Sequence, residues 1–244
     1  TYSIAHISNY VCYVNYVVKN SLRGKYQTKQ HKMKKYLTEF IGTFFLILTV
    51  VLVTNNPAYA TMAPLAIAGM YLAMIYAGGH ISGGHYNPAV TFALLIRRKI
   101  DRGDALYYIM VQLVASVVAA AIGVYLHGCG NGATIVPRLN EQTMCAVLAE
   151  FLGTFALVFV VLNVATTRSN AGNSHYGFAI GFASLAVGYA LGGLSGGAFN
   201  PAIALGATVA DMFAWEDIPV YLIGDLLGAA VAATVFQVTY GPED

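Results

Sequence analysis

Apolar residues along this chain gather into six runs long enough to become membrane-crossing helices, near 36–54, 62–79, 104–126, 143–163, 176–193 and 218–239, with clear breaks between them. A bilayer core takes about 20 helical residues, and each run approaches that length. Two further apolar stretches, near 88–97 and 201–212, follow the second and fifth runs and are too short to cross. Each opens with Asn-Pro. Proline fits the first helical turn, where its missing N–H would be unpaired anyway, and the asparagine before it caps the free amides. The pattern predicts an all-α membrane protein with six transmembrane helices and two re-entrant half-helices, whose positive dipole ends lie at Asn87 and Asn200.

The two short stretches are copies of each other. Gly83-Gly-His-Tyr-Asn-Pro-Ala-Val90 and Gly196-Gly-Ala-Phe-Asn-Pro-Ala-Ile203 share Gly-Gly-x-x-Asn-Pro-Ala at an offset of 113. Glu39-Phe-Ile-Gly-Thr-Phe-Phe-Leu matches Glu150-Phe-Leu-Gly-Thr-Phe-Ala-Leu at an offset of 111, and Asp104-Ala-Leu-Tyr-Tyr matches Asp217-Ile-Pro-Val-Tyr at 113. The repeats run over about 33–126 and 143–240 of a single domain spanning 33–244. Each holds three spans and one half-helix, and an odd number of spans inverts the second copy relative to the first. The half-helices therefore enter from opposite faces, and their meeting point at mid-membrane is where an inverted repeat places a solute path.

Composition agrees with this reading and narrows it. The chain is 57% hydrophobic and only 10% charged, with a mean hydropathy of +0.62, which excludes an ordinary soluble domain. Seven of its 13 Lys and Arg residues precede Glu39, four more are Arg97, Arg98, Lys99 and Arg102, and Arg168 falls on the same side. Only Arg138 lies opposite, so the positive-inside rule puts both termini in the cytoplasm. No signal-peptide pattern precedes the first span, which suits a plasma or inner membrane. Residues 1–32 contain no acid, and Met33 opens a more typical start, so this segment is expected to be a non-native or disordered extension; the rival reading is a basic interfacial anchor. Cys12, Cys129 and Cys145 have no metal-type spacing.

From Met33 onward the paired Asn-Pro-Ala boxes and the repeated Glu-Phe-x-Gly-Thr-Phe resemble the aquaporins and glycerol facilitators, the major intrinsic protein family. The resemblance implies a right-handed six-helix bundle, a homotetramer, and one pore per subunit. It also implies a passive path for water and small neutral solutes through the lipid bilayer, with no cofactor, metal or nucleic-acid partner. No nucleophile–base or metal-ligand constellation points to an enzyme. A proton- or ion-coupled transporter and a nonconducting membrane scaffold or junction protein are the alternatives.

The pore chemistry follows from the boxes, Asn87, Pro88, Ala89 and Asn200, Pro201, Ala202. A neutral solute in the membrane must exchange its water hydrogen bonds for others, and the two asparagine amides offer donors where two positive helix ends converge. A water bound there points its hydrogens in opposite directions along the pore, which breaks a proton wire, while the field repels cations. Glu39 and Glu150 are acids inside apolar spans and need partners; in the resembling family the matching glutamates accept hydrogen bonds from the re-entrant loops. His85, and beside it His80, are placed at the cytoplasmic approach to the first box, lining or supporting the pore. Gln112 and Asp225 correspond at 113, and Asp225 is read either as an interhelical contact or as a group facing the pore or a subunit interface.

The chain departs from its resembling family in one informative place. Water-conducting relatives usually carry arginine directly after the second box, where this chain has Ile203, and no Lys or Arg follows Arg168. Family spacings put the other constriction positions at Ile67, Gly188 and Gly197. Two glycines and two isoleucines predict a wide, apolar constriction, suited to glycerol-, urea- or ammonia-like solutes as well as water.

Overall fold

A computed structural model describes residues 30–56, 58–128, 139 and 143–241. Among these, eight helices carry the architecture: α1 (Gln30–Thr54), α2 (Ala63–Ser82), α3 (Pro88–Ile96), α4 (Arg102–Gly128), α5 (Thr143–Thr166), α6 (Tyr176–Ser195), α7 (Pro201–Val209) and α8 (Ile218–Tyr240). Six are long and apolar enough to cross a membrane, as the runs predict. Most of the N-terminal extension, with Cys12, and the 129–138 segment, with Cys129 and Arg138, lie outside the described residues. The last turn of that extension continues α1: its first residue is Gln30, and Lys32 Nζ pairs with Asp104 Oδ1 at 2.7 Å.

The short helices, α3 and α7, have nine residues each. At 1.5 Å per residue each is about 14 Å long, roughly half a bilayer core. Both are shorter at their far ends than the apolar pattern suggests. Arg98 and Asp211, at φ +57° and +54°, stop them in the left-handed region. Lys99 N–H then reaches back to Leu94 O at 2.9 Å, and Met212 N–H to Ala207 O at 2.8 Å. This is the bond that ends a helix in a Schellman turn, a position usually held by glycine; without glycine the stop leaves no sequence signal.

Close helix contacts rest on small residues. A Cβ on Gly228 would lie 2.5 Å from Phe151 O, and one on Gly224 2.6 Å from Glu150 Cβ, so α8 lies directly against α5. Gly181 faces Leu72 of α2 in the same way. Where no hydrophobic force separates helix from lipid, such approach supplies the packing that holds a bundle together.

Candidate functional site

The two re-entrant loops are tied to buried carboxylates on α1 and α5. Glu39, fully buried, accepts at Oε1 from Ser82 Oγ (2.7 Å) and His85 N–H (3.0 Å), and at Oε2 from Tyr86 N–H (2.8 Å) and Gln112 Nε2 (2.9 Å). Glu150, equally buried, accepts at Oε1 from Ser195 Oγ (2.5 Å) and Ala198 N–H (3.0 Å), and at Oε2 from Phe199 N–H (2.6 Å). A buried anion is costly unless hydrogen-bonded, and donors aimed at a carboxylate are among the stronger hydrogen bonds. Each acid therefore fixes the course of one loop.

Those bonds hold the backbone in an unusual shape. Tyr86 and Phe199, each just before a box asparagine, sit at φ +47° and +48°, a conformation that costs a non-glycine residue about 1 kcal/mol or more. Their rings lie over Gly42 and Gly153, where any side chain would overlap them. The repeated Glu-x-x-Gly of α1 and α5 is thus one device: the glutamate grips the loop, and the glycine three residues later admits the ring.

With the loops so placed, the half-helices meet head to head. Asn87 caps α3 by accepting from Ala89 N–H at 2.8 Å and donates its amide to Phe199 O at 3.0 Å. Asn200 caps α7 by accepting from Ala202 N–H at 2.9 Å and donates to Tyr86 O at 3.0 Å. Capping and donation coexist. Each amide nitrogen carries two hydrogens, so one N–H per asparagine is left for a solute.

Two chambers flank the boxes. One, of about 350 Å³, is lined by both asparagines together with Ile67, Gly188, Gly197 and Ile203. The four positions expected to form the constriction thus share one cavity wall. Gly197 has little freedom to differ: at φ +72°, its Cβ would lie 2.8 Å from Gly192 Cα. The other chamber, of about 370 Å³, opens toward the α3–α4 loop and is lined by His85, Ser82, Val90 and Val161, with Lys35, Lys99 and Asp104 at its mouth. His85 is buried, with Nδ1 3.0 Å from Thr91 Oγ1 and its ring 4.9 Å from that of Tyr108. His80 lines neither chamber. It lies on the exposed face of α2, two residues from the helix end, while Gly78 and Ser82 face inward. Of these two histidines, His85 lines a chamber and His80 does not.

Several positioning residues are absent from the sequence reading. Tyr108 OH donates to Ser82 O and Tyr221 OH to Ser195 O, both at 2.7 Å, tying α4 and α8 to the ends of α2 and α6. The matched Asp104 and Asp217 segments end on these tyrosines, the one signal by which they were recognisable. Asp225 is an interhelical contact: it is fully buried, and Oδ1 accepts from Thr154 Oγ1 at 2.8 Å.

Comparison with known proteins agrees with this geometry. A family model described as major intrinsic protein matches residues 25–236. The chain is 36% identical to aquaporin PIP1-2 of Zea mays over 224 residues, covering 83% of this chain and 76% of that protein. It is also 36% identical to glycerol uptake facilitator protein-like 6 of Lactiplantibacillus plantarum over 228 residues, covering 87% of this chain and 100% of that protein. Its fold matches the X-ray structure of the aquaglyceroporin from Plasmodium falciparum with a TM-score of 0.73 at 22% identity, over 87% of this chain and 98% of that one.

Proposed function

Because this chain belongs to the major intrinsic protein family, whose members are membrane channels rather than enzymes, we propose that it is a passive pore for water and small neutral solutes of the glycerol, urea and ammonia kind, and that it excludes protons and ions. Relatives named as an aquaporin and as a glycerol uptake facilitator are equally similar to it, so overall likeness does not choose the solute. The make-up of the cavity wall supports the broader choice. One observation carries the reading: Ile67, Gly188, Gly197 and Ile203 line the same cavity as both box asparagines, and none of the four bears a charge or a side-chain donor.

The cavity of about 350 Å³ corresponds to on the order of ten water volumes. That volume is enough to hold a solute of several heavy atoms. Its carbon skeleton lies against the isoleucines, and its hydroxyl or amide oxygen accepts from the spare N–H groups of Asn87 and Asn200. Water has fewer partners in the apolar ring, at about 1 kcal/mol per lost hydrogen bond, so its permeability is modest for so wide an opening. At the boxes, both donors and both positive helix ends act on the same point, which orients a solute oxygen and repels a cation. In this reading both termini face the cytoplasm, and four copies assemble with one pore each.

The test is stopped-flow light scattering on vesicles reconstituted with the full chain, using water, glycerol and urea, with a pH-sensitive dye for protons. Glycerol and urea flux well above that of protein-free vesicles is expected, with proton leak at background. Passage of water alone overturns the wide-constriction reading. Proton flux that rises with solute flux overturns the passive one.

A further inference from the structure

The two halves of the bundle hold their loops alike except at one point. Glu39 receives four donors, two at each oxygen, and the fourth is the amide of Gln112 on α4. In the second half Asp225 on α8 stands where Gln112 stands in the first, and a carboxylate has no N–H to offer. Glu150 Oε2 consequently receives Phe199 N–H but no counterpart of the Gln112 amide. Asp225 shows the complementary gap. Its Oδ1 is bonded to Thr154, one turn beyond Glu150 on α5, while its buried Oδ2 meets no hydrogen-bond partner.

Gly224, the residue before Asp225, lies directly against Glu150 Cβ, and Thr154, which bonds Asp225, is one turn beyond Glu150, so the two buried carboxyl groups sit side by side where α5 meets α8. Among the described residues no cation is seen against them. Residues 169–244 and α5 contain no Lys or Arg. The guanidinium of Arg97 lies over the Phe236 ring of α8, eleven residues past Asp225, which is about 16 Å along the helix. Three other groups bear on the pair from the described elements around it. Tyr221, one turn earlier on α8, gives its hydroxyl to Ser195 O; the backbone N–H of Asn200 faces Asp225 from the loop; Asp217 lies at the far start of the helix.

We infer that Asp225 and Glu150 hold one proton between them, and that Asp225 is by this means the fourth donor to Glu150, filling the place Gln112 takes toward Glu39. Two like charges side by side, buried and with no cation seen against them, do not both ionise, and the pair titrates as a unit. A single proton closes both gaps at once. It is a structural part of the second loop: Glu150 holds Phe199, whose carbonyl receives the Asn87 amide, so Asp225 is a positioning residue for the boxes although it lies behind the pore. Folding takes up this proton, and stability falls as pH rises and the unfolded chain releases what the folded chain keeps. The inference is independent of which solute passes.

Infrared spectroscopy and thermal denaturation of the full chain in vesicles test it together. At neutral pH the parent is expected to show the C=O band of a protonated carboxyl, and Asp225→Asn, which keeps the Thr154 bond and supplies a fixed N–H donor, is expected to lose it. The parent's unfolding midpoint should fall as pH rises above the ordinary carboxylate range, and the Asn variant should lose that part of the slope. Asp225→Gln, the residue of the first repeat, is the second variant should Asn not fold, with the same expectation. Absence of the band from the parent, its survival in the substituted protein, or an unchanged pH slope overturns the inference.

Discussion

The seat of the Phe199 ring offers a direct test of how the second half-helix is placed. In Gly153→Ala the new Cβ would lie 3.0 Å from Phe199 Cγ and nearer still to Cδ1 and Cε1, well inside contact distance. The ring cannot simply turn aside. Its backbone is held at φ +48° by the bond from its own N–H to Glu150, and its carbonyl accepts from Asn87. Overpacking a filled site costs about 1–3 kcal/mol, and loss of one buried hydrogen bond adds about 1 kcal/mol, so a total of about 2–4 kcal/mol is expected. Thermal unfolding followed by circular dichroism should show a midpoint several degrees lower. In vesicles matched for protein content, solute flux should fall by more than the folded fraction does, because Asn200 follows Phe199 directly. Phe199→Leu in the Gly153→Ala background shortens the ring and should recover most of the stability, a coupling that single substitutions would not show. A Gly153→Ala protein with the parent's midpoint and flux, or a double variant no better than the single one, refutes the reasoning.

Two substitutions probe the pore itself. Asn87→Asp keeps the oxygen that caps Ala89 but replaces the amide donated to Phe199 O with an anion at the meeting of two positive helix ends, so sodium or proton leak should rise above the parent in a folded protein that still passes water; unchanged ion currents would show that the barrier lies elsewhere. Ile203→Arg restores donors and a fixed charge to the wall of the cavity and should cut glycerol and urea flux by about tenfold, equivalent to about 1.4 kcal/mol, with a smaller effect on water. Assembly is checked first, since a membrane-buried cation needs acceptors, and an unchanged solute-to-water ratio in folded protein would move the constriction away from position 203.

What the sequence determined by itself is what neighbouring residues decide. Run length set the six spans, Asn-Pro set the starts of both half-helices at Pro88 and Pro201, and the offsets of 111 and 113 exposed the inverted repeat and singled out Glu39 and Glu150 as acids in need of partners. Each of these signals lies within a helical turn or in simple counting. The ends of α3 and α7 escaped because Arg98 and Asp211 adopt a glycine-like conformation that nothing local announces.

The tertiary structure decided everything that depends on how α1, α4, α5 and α8 are turned toward the loops. α2 is apolar on all sides, so no pattern along it says that His80 faces outward while Ser82 reaches Glu39. Gly42 and Gly153 read as ordinary small residues until the rings of Tyr86 and Phe199 are laid over them. Asn87 and Phe199 are 112 residues apart, and Thr154 and Asp225 are 71 apart. Such pairs are fixed by which faces of separate helices come together, and in an apolar chain that choice rests on shape and buried hydrogen bonds, neither of which leaves a periodic mark on the sequence.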